Sequence, residues 1–395
     1  MMNCEFKKIL GIVAEYDPFH NGHLYHVTEA RKQVAPDLTY IVLSPCLKQR
    51  GELSLLSPVD RARCALDAGA NAVFSLPVLW TLRDAEHYAI GAVSLLAGLG
   101  VTHIAFGAET ADLPLLSRAA DFLEHPTKAF NEGVKSVMSS GKGWPAAVSA
   151  ALSAALPEAA NLLSHPNNIL AVSYLRAIRR LGLSLAPVII PRTGSYHASS
   201  VNPASPSASS IRDALLRGNY ADAFTALPDC TVSVLRRRLL DNALPDESIL
   251  SHLLLAKLRS VSAMDFRSLP DLSEGMENAL ETAAASCRTR RELIAALTGR
   301  RYPAARISRL CACALLNLSA DDLRYAPLPN AAFLLGLKND PTMTSLWKKL
   351  PIPVVSSFKE WKKAAHPADL AAWSLWSQCC RLPDTLPFTE QIAVV

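Results

Sequence analysis

Short apolar runs alternate with longer amphipathic segments over roughly the first 110 residues of the chain. Apolar runs of strand length that are separated by helices are typical of βαβ units, whose parallel sheet is covered on both faces. We therefore predict a doubly wound parallel-sheet α/β domain, with any ligand at the carboxyl ends of the strands. The predicted strands are 9–14, 39–44, 72–76 and 102–106, and the predicted helices are 23–34, 57–68 (Ser57 as N-cap, Pro58 first) and 84–97.

The alternation weakens further along the chain. A helical stretch leads to a last strand, a loop rich in Ser, Pro and Ala, and one short helix. Helical periodicity then dominates, and strands return after Pro327. These elements are helices within 112–182 (clearest at 167–181, after Pro166), a strand at 185–191, the loop 192–208, a helix at 209–217, an apolar helical stripe at 307–315, and strands at 332–337 and 353–356. We predict three units: an α/β domain at 1–218, a mainly helical region at 219–326 and a small α/β C-terminal subdomain at 327–395.

Composition narrows the class of protein. Half of the residues are hydrophobic and 19% are charged, which excludes a disordered chain. No uncharged apolar run reaches the roughly 18 residues that a membrane span needs, and the N-terminus shows no signal-peptide pattern. The nine cysteines are scattered and contain no C-x-x-C motif. We therefore expect a cytoplasmic protein with reduced thiols.

The first candidate chemistry lies where the first strand gives way to the first helix. His20 and His23 flank Gly22 there, so both imidazoles and the first helix amides can face one anion. Gly22 leaves room for a phosphate or ribose close to the backbone. This H-x-G-H pattern resembles the motif of the nucleotidylyltransferase superfamily. Simple capping of the helix by the two histidines is the structural alternative.

A second candidate follows the last strand of the α/β domain. Ser209 and Ser210 begin a predicted helix that also contains Arg212. Their hydroxyls and the helix amides could hold β- and γ-phosphates, with which Arg212 could pair bidentately. The alternative is an ordinary N-cap at Ser209, with Asp213 in the first turn.

Longer motifs extend this resemblance to one family. They occur in the order found in bacterial tRNA(Met) cytidine acetate ligases, which have a Rossmann-like H-x-G-H nucleotidylyltransferase domain. The resemblance covers roughly residues 8–320. The motifs are VAEYDPFHNGHLYH (13–26), QRGE (49–52), FGAE (106–109), HPNNILAVSYLRAI (165–178), PRTGSYH (191–197), SASSIR (207–212) and RRYPAARISRL (300–310).

The resemblance implies an activity and a set of ATP contacts. Members of this family activate acetate with ATP as acetyl-adenylate, releasing pyrophosphate, and acetylate the wobble cytidine of elongator tRNA(Met) to N4-acetylcytidine. By analogy, His20 and His23 are the catalytic pair, and Mg²⁺ accompanies the ATP. Asn168 is preferred over Asn167 as a nucleotide contact, although either fits the motif. The full set implied for ATP is Val13, Ala14, Glu15, Tyr16, Phe19, His20, Gly22, His23, His26, Gly107, Asn167, Asn168, Arg192, Thr193, Ser209, Ser210 and Arg212.

Four positions depart from the family pattern. Asp17 replaces the usual Asn, and its carboxylate would repel phosphate, so we assign it no catalytic role. Pro45 follows Ser44 where the family usually has Gly, and it could reshape the acetate pocket. Asn71 and Ser75 replace acidic residues. For the base that would assist the cytidine amine, Glu15, Asp17 and Glu109 are all candidates.

A basic segment at 281–310 is the candidate tRNA surface. It carries seven arginines and two glutamates, so its net charge of +5 equals that of the whole chain. Arginines near Tyr302 suit phosphate contacts and base stacking, whereas the alternative is an ordinary solvated helix face. The predicted tRNA contacts are Arg288, Arg290, Arg291, Arg300, Arg301, Arg306 and Arg309, and the cluster 236–238 could extend them.

Two other functions fit the same sequence. An adenylyltransferase that acts on a phosphorylated small molecule would keep the fold but would need no RNA. A non-catalytic RNA-binding relative would keep the nucleotide pocket and lose the reaction. The sequence does not indicate the oligomeric state or the metal.

Overall fold

One mixed sheet of eight strands runs through the described part of the chain. The computed structural model describes residues 8–192, 201–202, 206–272, 275–299, 302–383 and 392–395. The strands are β1 (Ile9–Ala14), β2 (Leu38–Leu43), β3 (Ala72–Ser75), β4 (His103–Ala108), β5 (Ala186–Pro191), β6 (Ala332–Leu337), β7 (Val354–Val355) and β8 (Ala393–Val394).

The strand order is β5-β4-β1-β2-β3-β6-β7, and β8 also pairs with β6. Strands β1 to β5 are parallel, so the predicted doubly wound core is confirmed. The chain progresses outward from β1 through β2 to β3 and then crosses back to β4 on the other side of β1. The carboxyl ends of β1 and β4 therefore form a crevice at the point where the strand order reverses.

The C-terminal strands extend this same sheet. β6 runs antiparallel to β3, with Ser75 opposite Phe333. Two indoles bind the C-terminal segment to the α/β domain: Trp347 Nε1 donates to Tyr40 Oη at 3.1 Å, and Trp376 Nε1 donates to the Ser54 carbonyl at 2.7 Å. Residues 327–395 were predicted as a subdomain of their own, but the described residues of this range share the sheet and core of the N-terminal domain.

The helices of the α/β part follow the predicted pattern to within one or two residues at most ends. Ser57 is the N-cap of the second helix, where its side chain accepts the Asp60 N–H, and Pro58 is the first helical residue. The helices of this part are α1 (Asn21–Val34), α2 (Pro58–Asp67), α3 (Val78–Thr81), α4 (Ala85–Gly98), α5 (Leu113–Glu124), α6 (Lys128–Ser139), α7 (Trp144–Ala155), α8 (Pro166–Arg180) and α9 (Ala208–Leu216).

The region after α9 is helical, as predicted, and has a small core of its own. Ile307, Leu310 and Cys311 point into that core from one stripe of a helix. The helices are α10 (Tyr220–Thr225), α11 (Asp229–Leu240), α12 (Glu247–Arg259), α13 (Ala263–Phe266), α14 (Met276–Ser286), α15 (Arg290–Leu297), α16 (Ala304–Leu315) and α17 (Ala320–Arg324), followed in the C-terminal segment by α18 (Pro341–Trp347), α19 (Phe358–Ala364) and α20 (Pro367–Cys379).

Most of the predicted loop 192–208 lies outside the described residues. Within the described ranges, no helix is both long enough and apolar enough to span a membrane.

Candidate active site

His20 and His23 stack on each other at the first turn of α1. Their ring centroids are 3.7 Å apart and their planes differ by 19°. His20 is the N-cap: its Nδ1 accepts the Gly22 N–H at 3.1 Å, and His23 Nδ1 accepts the His20 N–H at 3.3 Å. Both histidines therefore cap the helix. Capping and ligand binding are compatible here, because the two cap bonds use only the Nδ1 atom of each ring.

The two rings are neutral near pH 7. Burial, with help from Arg192 and Arg212, lowers the pKa of His20 to about 3. Burial and the neighbouring His20 and Arg192 lower the pKa of His23 well below its usual value. Because each Nδ1 accepts a hydrogen bond, the single proton of each neutral ring is assigned to Nε2. Each imidazole therefore offers one N–H donor.

Arg192 brings a positive charge to the same place from the end of β5. Its side chain lies across Gly107 of β4, where a Cβ atom would be 2.8 Å from Arg192 Cδ. Its charge also contributes, after burial, to lowering the pKa of His26 to about 4. Arg192 and the three histidines thus meet where β1, β4 and β5 end. Thr193, the predicted neighbour of Arg192, lies outside the described residues.

Asn167 and Asn168 have different environments at the start of α8. Asn168 is fully buried: its Oδ1 accepts the Thr110 N–H at 3.0 Å, and its Nδ2 donates to Thr110 Oγ1 at 2.9 Å. Asn167 is half-buried, and its Oδ1 accepts from Arg192 Nη1 at 3.3 Å. The geometry favours Asn167, not the preferred Asn168, as the residue that can reach a ligand.

Glu109 caps the helix that carries this pair. Its Oε1 accepts from the backbone N–H of Asn167 at 3.3 Å and from its Nδ2 at 2.6 Å, and its Oε2 accepts the Asn168 N–H at 2.9 Å. A carboxylate at a helix N-terminus is stabilised by the free amides there. Glu109 therefore holds α8 against the end of β4.

A buried ion cluster lies beside the histidines. Lys48 Nζ is 3.0 Å from Asp17 Oδ2 and 2.6 Å from Glu52 Oε2. Arg212 Nη1 donates to the Asp17 carbonyl at 2.6 Å and lies 3.4 Å from Asp17 Oδ2. Although burial favours the neutral carboxyl, these cations hold the pKa of Asp17 below its usual value. The charge that would repel phosphate is thus compensated inside the protein.

The start of α9 differs from the prediction. The N-cap is Ser207, which accepts the Ser210 N–H at 3.1 Å, so the alternative reading of Ser209 as the N-cap is wrong. The cap shifts because Ser207 Oγ also bonds Ser210 Oγ at 2.9 Å. Ser209 and Ser210 lie in the first turn, and Arg212 reaches back to Asp17 from there.

Arg61 is a site residue that the sequence reasoning missed. It is fully buried, and its Nη1 donates to the carbonyls of Glu15 at 2.6 Å and Ser44 at 2.9 Å. Arg61 also bonds the Pro45 carbonyl. It therefore fastens the carboxyl ends of β1 and β2 together. In the sequence, the position of Arg61 on the apolar face of a predicted helix was the feature that could have indicated this role.

Known proteins share the sequence motifs and the fold of this chain. Residues 7–385 match the family described as HIGH Nucleotidyl Transferase. The tRNA(Met) cytidine acetate ligase of Syntrophomonas wolfei is 35% identical over 368 residues, which cover 90% of this chain and 88% of that protein. The crystal structure of apo Thermotoga maritima TmcAL superposes with a TM-score of 0.92 at 26% identity, covering 98% of this chain and 99% of that one. The same protein bound with alpha-thio ATP gives 0.89 at 25% identity, with the same coverage.

The chain belongs to the tRNA(Met) cytidine acetate ligase family. The recognition made from the motifs is thereby confirmed, as are the fold class and the ligase activity expected of the family.

Two departures from the family pattern lie at opposite ends of β3. Asn71 precedes β3 at the amino ends of the strands, whereas the site lies at their carboxyl ends. Its Oδ1 accepts the Thr39 N–H at 2.9 Å. Ser75 is buried at the end of β3, next to β6. Pro45, by contrast, lies at the site, where its carbonyl faces Arg61.

The basic segment of this ligase divides into exposed and buried arginines. Arg288 and Arg291 are exposed, and Arg306 and Arg309 are half-buried, whereas Arg300 and Arg301 lie outside the described residues. Arg306 stacks over Tyr302 with its guanidinium carbon 4.8 Å from the ring centroid.

Arg290 does not have the solvent-facing environment that was predicted. It is 7% exposed, and its Nη2 donates to the Gly51 carbonyl at 3.1 Å and to Ser308 Oγ at 2.6 Å. Its remaining contact is an ion pair with Glu247 at 3.1 Å. Arg290 therefore links the helical region to the loop after β2, which carries Lys48 and Gly51.

The three arginines of the smaller cluster 236–238 also contact other groups of the protein. Arg237 and Arg238 each lie 2.6 Å from an oxygen of the buried Asp60. Arg236 lies over the Phe224 ring at 5.5 Å.

Proposed function

We propose that this protein forms acetyl-adenylate from ATP and acetate and then transfers the acetyl group to N4 of the wobble cytidine of elongator tRNA(Met). Membership of the tRNA(Met) cytidine acetate ligase family supports the reaction and the RNA substrate. The similarity to a TmcAL structure bound with alpha-thio ATP supports the nucleotide.

The observation that carries the proposal is the meeting of two neutral histidines with two arginines at the strand ends. Acetate attacks the α-phosphorus of ATP, and negative charge develops on the leaving pyrophosphate. Donors fixed in advance around that charge lower the barrier, because they need no reorganisation during the reaction. His20 and His23 supply Nε2–H donors beside the free amides of α1, while Arg192 and Arg212 supply positive charge.

We propose that the other predicted contacts complete the ATP site around this centre. We propose that Gly107 admits the nucleoside beside Arg192 and that Asn167 bonds it. Asn168 supports this arrangement from within the protein, through its bonds to Thr110. The remaining proposed ATP-site residues are Val13, Ala14, Glu15, Tyr16, Phe19, Gly22, His26, Thr193, Ser209 and Ser210.

Mg²⁺ enters the proposal with the substrate. In the described ranges, no group of three or more His, Cys, Asp or Glu side chains is arranged to hold a metal ion. Asp17 and Glu52, the carboxylates of the ion cluster, are engaged by Lys48. The side chains therefore do not fit a resident ion, and we derive no step through one. An ion would be carried by the phosphate oxygens of ATP.

We assign the tRNA backbone to the basic face of the helical region. Exposed Arg288 and Arg291 and half-buried Arg306 and Arg309 are the proposed phosphate contacts, together with Arg300 and Arg301 from the same segment. Arg290 is left out, because its donors are bound within the protein. α16 brings Arg309 close to the loop after β2, which carries Lys48 and Gly51. A Cβ atom on Gly51 would be 2.8 Å from Arg309 Cα.

The test uses the purified chain with ATP, radiolabelled acetate and elongator tRNA(Met). We expect acetate-dependent ATP–pyrophosphate exchange without tRNA, and label in N4-acetylcytidine when tRNA is added. A tRNA(Met) with uridine at the wobble position is the matched control and should remain unlabelled. Failure to form either the adenylate or the acetylated cytidine would rule the proposed function out.

A further inference from the structure

Three carboxylates follow the strands at the active site, and two of them are fully engaged. Asp17 Oδ1 accepts the Leu55 N–H, and its Oδ2, although it accepts no hydrogen bond, is buried in ion pairs with Lys48 and Arg212. Both oxygens of Glu109 accept from the first turn of α8. Neither carboxylate can take a proton from a substrate without giving up bonds that hold the site together.

Glu15 differs from both. Its Oε1 accepts the Gln49 N–H at 2.7 Å, whereas its Oε2 has no hydrogen-bond partner among the residues that the structure describes. The residue as a whole is half-buried. Glu15 is thus the one of the three with an oxygen available to a ligand.

The position of Glu15 is also fixed. It is the first residue after β1, the strand that lies between β2 and β4, and its carbonyl is held by Arg61. The Gln49 amide that orients its carboxylate belongs to the loop after β2, and that loop is fixed by a bond from Gln49 Nε2 to the Arg83 carbonyl at 2.5 Å. Such support from backbone groups positions a reactive side chain accurately.

The charges around Glu15 set its proton affinity. Lys48 and Glu52 face it from the loop after β2, Asp17 faces it from its own loop, and Arg61 faces it from α2. Two tyrosines, Tyr88 of α4 and Tyr174 of α8, complete the surroundings. Burial, aided by Asp17 and Glu52 and opposed by Lys48 and the Gln49 bond, raises the pKa of Glu15 above its ordinary value. A carboxylate with a raised pKa is a better proton acceptor.

We propose that Glu15 is the general base of the acetyl-transfer step, a role that rests on the function proposed above. The cytidine N4 lone pair attacks the carbonyl carbon of acetyl-adenylate, and a C–N bond forms. The bond from that carbon to the phosphate oxygen breaks, and AMP leaves with the electron pair. The N4 proton passes to Glu15 Oε2. No further reactant is needed, and the preceding attack of acetate on ATP does not require this base.

Glu15→Gln tests the assignment, because it keeps Oε1 as the acceptor for Gln49 and removes the basic oxygen. Because Glu15 is also one of the proposed ATP-site residues, acetate-dependent pyrophosphate exchange is measured alongside, and we expect it to fall far less than transfer does. Single-turnover transfer from enzyme-bound adenylate to tRNA(Met) should fall by about 10²- to 10⁴-fold. Glu15→Asp, which keeps a carboxylate, should recover part of the transfer rate. Glu158→Gln, at an exposed ion pair with Arg118, is the matched control and should behave as wild type.

The pH dependence separates a base from a merely structural residue. Wild-type transfer should rise with pH until Glu15 is ionised, and Glu15→Gln should lose that limb of the profile. Transfer at the wild-type rate by Glu15→Gln, or an equal loss of exchange and transfer, would overturn the assignment. Absence of exchange in the wild-type protein would instead overturn the proposed function, and this assignment with it.

Discussion

Asp17 and Lys48 form an ion pair that is almost closed to solvent. Lys48 Nζ lies 3.0 Å from Asp17 Oδ2, and the side chains of Asp17 and Lys48 are 2% and 4% exposed, respectively. A buried pair of this kind loses more when one partner is removed than when both are replaced, because a single remaining charge is left without compensation. The pair joins the loop after β1 to the loop after β2, so its removal affects both stability and the site.

We first predict that Lys48→Met destabilises the fold by about 3 kcal/mol, since it removes the nearest cation from the buried Asp17 and leaves only the more distant Arg212 and Arg61. The double variant Asp17→Asn/Lys48→Met should recover most of this loss, because the amide oxygen of the new side chain would still accept the Leu55 N–H. Urea unfolding of both variants measures the effect. Equal stability of the single and double variants would contradict the coupling.

The second prediction concerns the stacked histidines. His20→Ala and His23→Ala should each lower acetate-dependent pyrophosphate exchange by about 10²-fold or more, as for removal of one transition-state donor. His125→Ala, on an exposed helix end, is the control and should leave the exchange rate unchanged. Unchanged rates in both active-site variants would remove these residues from the mechanism.

The third prediction is a loss of stability in acid. The unfolded chain binds a proton on each imidazole below about pH 6.5, whereas folded His20 does so only near pH 3. Between these values the unfolded state binds more protons, so stability falls as the pH falls, by up to about 1.4 kcal/mol per pH unit for His20 alone. Comparing urea unfolding of wild type and His20→Asn between pH 7 and pH 4.5 isolates this contribution. Parallel curves would contradict it.

A fourth prediction separates the two neighbouring asparagines. Asn168→Ala should cost about 1–3 kcal/mol of stability, because it leaves the Thr110 N–H without its acceptor. Asn167→Ala should cost less stability, because both oxygens of Glu109 keep their backbone donors, and it should raise KM for ATP severalfold. Thermal unfolding and exchange kinetics on both variants give the comparison. The reverse pattern would restore Asn168 as the nucleotide contact.

The fifth prediction tests the RNA surface. Arg288→Gln/Arg291→Gln should raise KM for tRNA about tenfold and lower the slope of log binding constant against log salt by about one per lost phosphate contact. Pyrophosphate exchange without tRNA should not change. Lys128→Gln/Lys135→Gln removes two exposed charges from α6 and is the matched control. If both double variants bind tRNA equally well, the basic segment is not the RNA surface.

Local signals predicted much of the fold. Ser57 and Pro58 marked the start of α2, and the apolar runs of β1 and β6 matched the observed strands. Pairing across long separations was less accessible. That β6 would lie antiparallel to β3 depends on contacts such as Trp376 with Ser54, which a pattern along the chain does not contain.

The site shows the same division. The H-x-G-H spacing predicted that His20 and His23 would lie together, because four consecutive residues fix their separation. It could not predict that Lys48 would neutralise Asp17 or that Arg290 would be buried against Gly51. Charges that look alike in a sequence are separated only by packing: Arg288 and Arg291 stay in solvent while Arg290 points inward.

The antiparallel contact of β6 with β3 has a consequence for synthesis of the chain on the ribosome. β3 is made early, yet the strand that covers its outer edge is made after the entire helical region. An uncovered strand edge can pair with other chains, and such exposure favours aggregation. The outer edge of β3 therefore stays open while more than two hundred further residues are translated. Chaperone demand should peak in that interval and end when Ala332–Leu337 emerges.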